Sequence, residues 1–319
     1  MQGVLATSRT QGALEVRWED RSDTVFWNEK ADSYSKAELT NEAPEELEAL
    51  RELAAELSPE TILSLGCADG RRDPIPALEL LMETGHTVKK VLCNDLSPLL
   101  LDRAAANMAL VPKEACMQSL FRSGPMHLLG SLEGSQPEPK ALLVGAYRFE
   151  MLLAGGLRSY IRNSRLVGDR LSFGLYRLQT SGRGNRAQVI PLPLTVGSSA
   201  SSRDLAAAEG YLNASVREAE QKDGANLGVH VRGTFEADER GVFSSAWFTR
   251  KGLAELLRLF FSPDRYSVSI NAAGKCWLCR INPRDSKPRG LVTLLNNVLG
   301  NILPHELTKS LSAVRRMLG

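Results

Sequence analysis

The chain has 319 residues, 43% of them hydrophobic and 24% charged, with a net charge of +2. That length and balance allow a sizeable core and exclude a disordered or fibrous class, while the small net charge argues against a large electrostatic footprint for nucleic acid but leaves room for a local patch. No run approaches the ~18 apolar residues of a membrane span and no signal peptide opens the sequence, so a cytoplasmic protein is expected.

Residues 1–24 are polar and mixed in charge, with a short strand expected at 13–18. The aromatic-bearing run Phe26-Trp27-Asn28-Glu29-Lys30-Ala31-Asp32-Ser33-Tyr34 predicts a short helix. Residues 44–57 predict an amphipathic helix. Leu47, Leu50, Leu53, Ala54 and Leu57 share one face, Pro44 suits the first turn, and Glu45 and Glu46 favour the N-terminus. Next come a strand at 61–65, a glycine-bearing turn at 66–70, and a helix starting near Pro74 or Pro76 and ending near Gly85. Arg71, Arg72 and Asp73 stand at its mouth, either solvated or facing a ligand. A second strand at 88–94 runs into Asp95, and Ser97 as N-cap with Pro98 as first helical residue opens a helix through Met108. This is one βαβ unit. Backbone N–H groups and a helix N-terminus meet at its turn, where a nucleotide-like ligand would lie. Asp95 sits where Rossmann-type folds place the acid that bonds ribose hydroxyls. A dinucleotide G-x-G-x-x-G would need glycines where Ala68 and Arg71 stand.

The run Ile62-Leu63-Ser64-Leu65-Gly66-Cys67-Ala68-Asp69-Gly70 resembles the first motif of class I S-adenosylmethionine-dependent methyltransferases. Val91-Leu92-Cys93-Asn94-Asp95-Leu96-Ser97-Pro98, with Leu101 and Ala104, resembles their second strand, ribose acid and following helix. Ser64 stands where that family often has an acid, and Ala68 where it often has a glycine. The resemblance implies an α/β fold with a doubly wound, mainly parallel Rossmann-like sheet that ends in an antiparallel hairpin. It implies S-adenosyl-L-methionine as cofactor, held by Gly66, Cys67, Ala68, Gly70, Asp95 and Leu96. The 26–34 segment then looks like the piece that folds over the cofactor, with Tyr34 toward the substrate; an aromatic stripe packed on the core is the alternative.

Residues 110–139 are weakly patterned. A third strand is expected at 126–132, ending near Glu133, where the family has adenine-contacting residues. The apolar run 141–144 fits a buried fourth strand. Ligands bind beyond the carboxyl ends of such strands, so residues 145–150 should face the methyl acceptor. Arg148 and Glu150 are the catalytic candidates, orienting a polar acceptor or taking its proton, and Tyr147 and Phe149 the pocket walls; a surface ion pair is the alternative for the first two. A helix at 152–167 and a fifth strand at 169–178 follow.

Residues 182–241 far exceed the ~2–6 residues of an ordinary connection. A strand at 189–196, a helix at 204–220 and a strand at 227–235 are expected there, with His230 a packed or exposed strand residue rather than a base. A helix at 248–261, capped by Thr249, and strands at 266–270 and 275–281 joined by 271–274 then close the sheet as the family's does. Cys276 and Cys279 form a C-x-x-C with no second pair nearby and read as strand residues, and the five cysteines as reduced thiols. After Pro283, Leu291, Leu294, Leu295, Val298, Leu299, Ile302 and Leu303 predict a helix with a wide apolar face, stopped by Pro304 and followed by a basic helix. This appendix packs on the main domain, offers a homodimer face or, with Lys309, Arg315 and Arg316, meets a membrane surface, for which three positive charges are thin support.

The expected layout is therefore an N-terminal segment with lid and packing helices (1–60), a cofactor-binding core (61–181), an insertion that selects the acceptor (182–241), the closing helix and hairpin (242–283), and C-terminal amphipathic helices (284–319). The expected chemistry is in-line methyl transfer to an O or N atom of a small molecule. Alignment alone contributes ~7–11 kcal/mol to such a step, so no nucleophile or metal cluster is needed. No Asn/Asp-Pro-Pro-Tyr/Phe run follows the fourth strand, which points away from nucleic-acid or protein amino groups. Two other readings stand beside this one. The first is a catalytically inactive, methyltransferase-like assembly subunit. The second is an RNA or protein methyltransferase that grips its substrate through Arg183, Arg186, Arg203 and Arg232.

Overall fold

A computed structural model describes residues 27–28, 31, 44–129, 138–166, 171–180, 187–197, 199–222, 226–235 and 238–319. Tyr34, Glu133, Arg183, Arg186 and the strand expected at 13–18 lie outside the described residues. The chain forms two compact units, one of Thr24–Ala146, Leu257–Leu299 and Thr308–Gly319, the other including Tyr147–Leu256 and Gly300–Leu307.

The first unit is built on a seven-stranded sheet in the order β3-β2-β1-β11-β4-β10-β9. Its strands are β1 (Thr61–Leu65), β2 (Lys90–Asp95), β3 (Ser119–Ser123), β4 (Lys140–Tyr147), β9 (Tyr266–Ala273), β10 (Cys276–Pro283) and β11 (Gly290–Leu294). The β3-β2-β1-β11-β4 pairs are parallel, with Ile62 beside Val91 on one side and Leu291 on the other; β9 and β10 form the antiparallel hairpin expected at the edge. The central strands are buried along nearly their whole length, which is why they read as continuous apolar runs rather than as alternation.

Helix α1 (Pro44–Leu57) presents Leu50, Leu53, Ala54 and Leu57 to a core that also holds Ile62, Val91 and Leu291, together with Leu78 and Leu81 of α2 (Ile75–Glu83) and Leu101 and Ala104 of α3 (Pro98–Met108). Each fully buried leucine here stabilises the fold by ~1.5–3 kcal/mol. Ser97 caps α3 by accepting the Leu100 N–H at 3.2 Å, as its position before Pro98 predicts. Thr249 likewise caps α6 (Arg250–Phe260), accepting from Gly252 N at 3.0 Å. Cys276 and Cys279 are buried strand residues of β10, all five cysteines are free, and no residue group among the described residues could hold a metal.

Three expectations are corrected. The apolar stretch from residue 290 begins as a strand and not as a helix: β11 lies in the middle of the sheet, between β1 and β4. A short apolar run fits a buried strand or a buried helix equally well, and Val292 and Thr293, both β-branched, belong to the first. Gly290 starts this strand because a Cβ there would lie 2.5 Å from Thr61 Oγ1 and 2.8 Å from Lys140 Cγ, on the two flanking strands. Only a short helix, α7 (Val298–Asn301), and the basic helix α8 (Leu307–Met317) remain of the expected appendix. The third strand is Ser119–Ser123 rather than 126–132, where Met126–Leu128 forms a single helical turn. The fifth strand of the chain, finally, is not part of this sheet.

That strand, β5 (Leu171–Thr180), belongs to the second unit, in a four-stranded antiparallel sheet ordered β6-β5-β7-β8 with β6 (Ala187–Gly197), β7 (Asn226–Phe235) and β8 (Asp238–Phe248). Phe173 and Leu175 are buried at alternate positions, the period of a sheet with one face on a core. They meet Leu157 and Ile161 of α4 (Leu157–Leu166) and Leu205, Ala208, Leu212 and Val216 of α5 (Ser202–Lys222). His230 is wholly buried in β7 with its ring 6.3 Å from Tyr176, and burial pushes its pKa down to about 3, so it is a neutral packed residue. No helix among the described residues is long and apolar enough to cross a membrane.

Candidate functional site

The site is assembled at the carboxyl ends of β1, β2 and β11. The turn after β1 needs positive φ at Gly66 (+69°), Ala68 (+50°) and Gly70 (+82°). At Gly66 a Cβ would also drive into the Val298 side chain, 3.0 Å from its Cγ1 and nearer still to Cγ2. Ala68 holds the left-handed conformation at a cost of ~1–2 kcal/mol, and its N–H is fixed by Asp95 Oδ2 at 2.9 Å. Cys67 N donates to Asn94 O at 2.9 Å, so the turn is joined to the end of β2 at two points.

Asp95 is the centre of this corner. Its Oδ1 accepts the Ser97 N–H at 2.9 Å and its Oδ2 the Ala68 N–H, and only 8% of the residue is exposed. Burial raises its pKa to about 6, against the lowering effect of the N–H donors of Ser97 and Ala68. Two backbone bonds leave a carboxylate with acceptor capacity for further donors. The neighbouring Asn94 side chain ties β2 to β3 by donating to Arg122 O (2.9 Å) and Gly124 O (3.0 Å). Asn28 and Ala31 are fastened to the same corner. Ser97 Oγ donates to Asn28 Oδ1 at 2.7 Å, Arg103 Nη1 donates to Ala31 O at 2.8 Å, and Ala31 packs with Ala68 and Leu100.

A second carboxylate sits between β1 and β11. Asp73 is 2% exposed, accepts Ser64 Oγ at 2.9 Å and is also hydrogen-bonded by Thr293 Oγ1 on the same oxygen, Oδ2. Its other oxygen, Oδ1, is buried without a donor among the described residues. Burial raises its pKa to about 6, opposed by the Thr293 and Ser64 hydroxyls. Just beyond β11, Asn296 and Asn297 both have φ of +56°, and Asn296 Oδ1 is likewise buried and unsatisfied among the described residues. Asn296 N donates to Glu46 Oε2 at 3.2 Å, and Arg72 stands 3.8 Å from the same oxygen. Burial raises the pKa of Glu46 also.

Gly66, Cys67, Ala68, Gly70 and Asp95 are thus brought together, with half-buried Leu96 beside Asp95. In the other unit, Arg148 Nε lies 3.8 Å from Glu150 Oε2, Phe149 is buried in the hydrophobic core, and Tyr147 packs on Trp247 with ring centroids 4.8 Å apart. Thr293, Asn296 and Glu46 are not singled out by sequence as site residues, and Asp73 only as a charge that is either solvated or facing a ligand. Asp73 reads as one of three charges at a helix mouth and Glu46 as a helix N-terminal acid, while the partner Thr293 is 220 positions from Asp73.

No family model matches the chain, and no curated protein sequence matches it. Solved structures similar to it include the CcbJ methyltransferase from Streptomyces caelestis, 12% identical, with 83% of this chain and 99% of that one covered and a TM-score of 0.40. DesVI of Streptomyces venezuelae is 13% identical over 84% of this chain and 100% of its own, with a TM-score of 0.31. The glycopeptide N-methyltransferase MtfA complexed with S-adenosyl-L-homocysteine is 15% identical over 74% and 89%, again with a TM-score of 0.31. The first unit is thus a Rossmann-like, mainly parallel seven-stranded sheet closed at one edge by the antiparallel β9–β10 hairpin.

Proposed function

We propose that the protein is a methyltransferase that uses S-adenosyl-L-methionine and delivers the methyl group to an O or N atom of a small molecule. The observation that carries this reading is Asp95, buried at the end of β2 and aimed by the Ala68 and Ser97 N–H groups beside a left-handed glycine turn. The residues present fit the cofactor. Asp95 offers acceptors for the ribose hydroxyls, and the unsatisfied oxygens Asp73 Oδ1 and Asn296 Oδ1 are acceptors suited to an ammonium group. The departure at Ser64 does not argue for lost function, because the Ser64 hydroxyl engages the Asp73 carboxylate.

The cofactor supplies an activated methyl group on a sulfonium. What the chain supplies is alignment: Asp95 and the 66–70 turn fix the nucleoside end, and Asp73 and Asn296 the amino-acid end. Asn28 and Ala31, fastened to Ser97, Ala68 and Arg103, limit water at the nucleoside end. Arg148 and Glu150, which follow β4 in the chain, are assigned to orient a polar acceptor, with Glu150 the group able to take its proton; their 3.8 Å contact fits the alternative, a surface ion pair, equally well.

Transfer of tritium from methyl-labelled S-adenosylmethionine tests this reading. Small-molecule amines and hydroxy compounds, total RNA and denatured protein would be offered separately to the purified chain. Label is expected in the small-molecule fraction. Label confined to RNA or protein would replace the acceptor class, and label in none would leave the inactive assembly subunit as the better account.

A further inference from the structure

At the opposite end of the seven-stranded sheet, by the amino end of β4, lies a cavity of about 450 Å³ lined by Arg265, Tyr266, Ser312, Arg315, Arg316 and Gly319. Its place is fixed by Lys140 N, the first residue of β4, donating to Leu318 O at 3.0 Å, and by Arg284 N donating to Arg265 O at 2.9 Å. The volume is that of a small-molecule pocket, for which ~300–1,000 Å³ is usual. All three arginines are exposed, and none pairs with a carboxylate among the described residues. Asp264, the nearest acid in sequence, is turned to Ser262, whose hydroxyl donates to it at 3.5 Å. Arg265 is held over the Tyr266 ring, with Cζ 5.9 Å from the centroid.

Three arginines line this one concavity, where their like charges repel, and no side-chain ion pair among the described residues neutralises them. The chain as a whole carries only +2, so the cluster is not a by-product of a basic surface. A concave, like-charged wall concentrates counter-charge, and the planar fork of arginine matches the paired oxygens of phosphate. We propose that this cavity is a second ligand site, separate from the Asp95 corner, that takes a compact polyphosphate: the diphosphate group of a free nucleotide or of a phosphorylated metabolite. The guanidinium groups of Arg315 and Arg316, one residue apart on the last turn of α8, and of Arg265 from the start of β9 supply the donors, with the Ser312 hydroxyl as a neutral one.

Calorimetric titration of the intact protein with inorganic pyrophosphate in ~150 mM salt tests this inference independently of the methyltransferase reading. One saturable site is expected. The Arg315→Ala/Arg316→Ala double variant should lose at least about tenfold in affinity and Arg265→Ala a smaller factor, with S-adenosylhomocysteine binding unchanged in both. No saturable heat, or equal affinity in wild type and variants, would overturn the proposal. So would failure of pyrophosphate alongside arginine-dependent binding of polyuridylate whose affinity falls steeply with salt, since that pattern belongs to a nucleic-acid surface.

Discussion

The end of β2 and the seam between β1 and β11 solve one problem in two ways. Each buries a carboxylate whose pKa is pushed up to about 6. At β2, Asp95 is held by two backbone N–H groups from residues close by on a turn and a helix start, so its position follows from local chain geometry. At the seam, Asp73 is held by two side-chain hydroxyls, one of them on a strand that arrives 220 residues later, and one of its oxygens has no donor among the described residues. Backbone donors make a rigid acceptor that any well-formed βαβ unit can supply. Hydroxyl donors make an adjustable one that exists only once the last strand is in place.

The comparison breaks most severely at Gly66, the residue that joins the two corners. Gly66→Ala combines left-handed strain with a collision against Val298, and a loss of about 2–5 kcal/mol in denaturant unfolding is expected, partly recovered by adding Val298→Ala. A loss below about 1 kcal/mol would mean that the turn is not held against α7 as described.

Asp73→Asn comes next. The folded-state pKa of Asp73 is raised above its ordinary 3.8, so the folded protein holds a proton that the unfolded chain releases. Stability from this group is complete below about pH 4 and is lost as pH rises through about 6, by as much as ~3 kcal/mol. The asparagine variant should therefore gain on wild type between pH 4 and pH 7 in urea midpoints. Parallel curves would show that Asp73 is already ionised at low pH.

The smallest effect is expected at Ala68→Gly. Relief of its positive φ opposes the loss of methyl contact with Ala31 and Leu100, and the net change in thermal unfolding should stay within about 1 kcal/mol.

The same contrast explains what was legible in the sequence. Asp95, Ser97 and the 66–70 turn are specified within a few dozen residues, and strand, acid and cap stand at the spacing the fold requires. The closing hairpin and the capped helix before it were legible for the same reason. The place of β11 was not: residues 290–294 carry no period that separates a buried strand from a helix, and their partners Thr61–Ser64 and Lys140–Val144 are far away in the chain. The Asp73–Thr293 contact depends on that strand and was hidden with it. Likewise β5 reads as one more strand of the main sheet, because its antiparallel partners β6 and β7 follow only after it.

The central claim is that Asp95 anchors the cofactor, and calorimetric titration with S-adenosylhomocysteine tests it most directly. Micromolar binding by the wild type is expected, weakening below about pH 6 as Asp95 takes up its proton. Asp95→Ala should bind roughly 10- to 150-fold more weakly, the ~1.5–3 kcal/mol of hydrogen bonds to a charged acceptor. Equal affinity in the two proteins, or no binding by the wild type, would contradict the account.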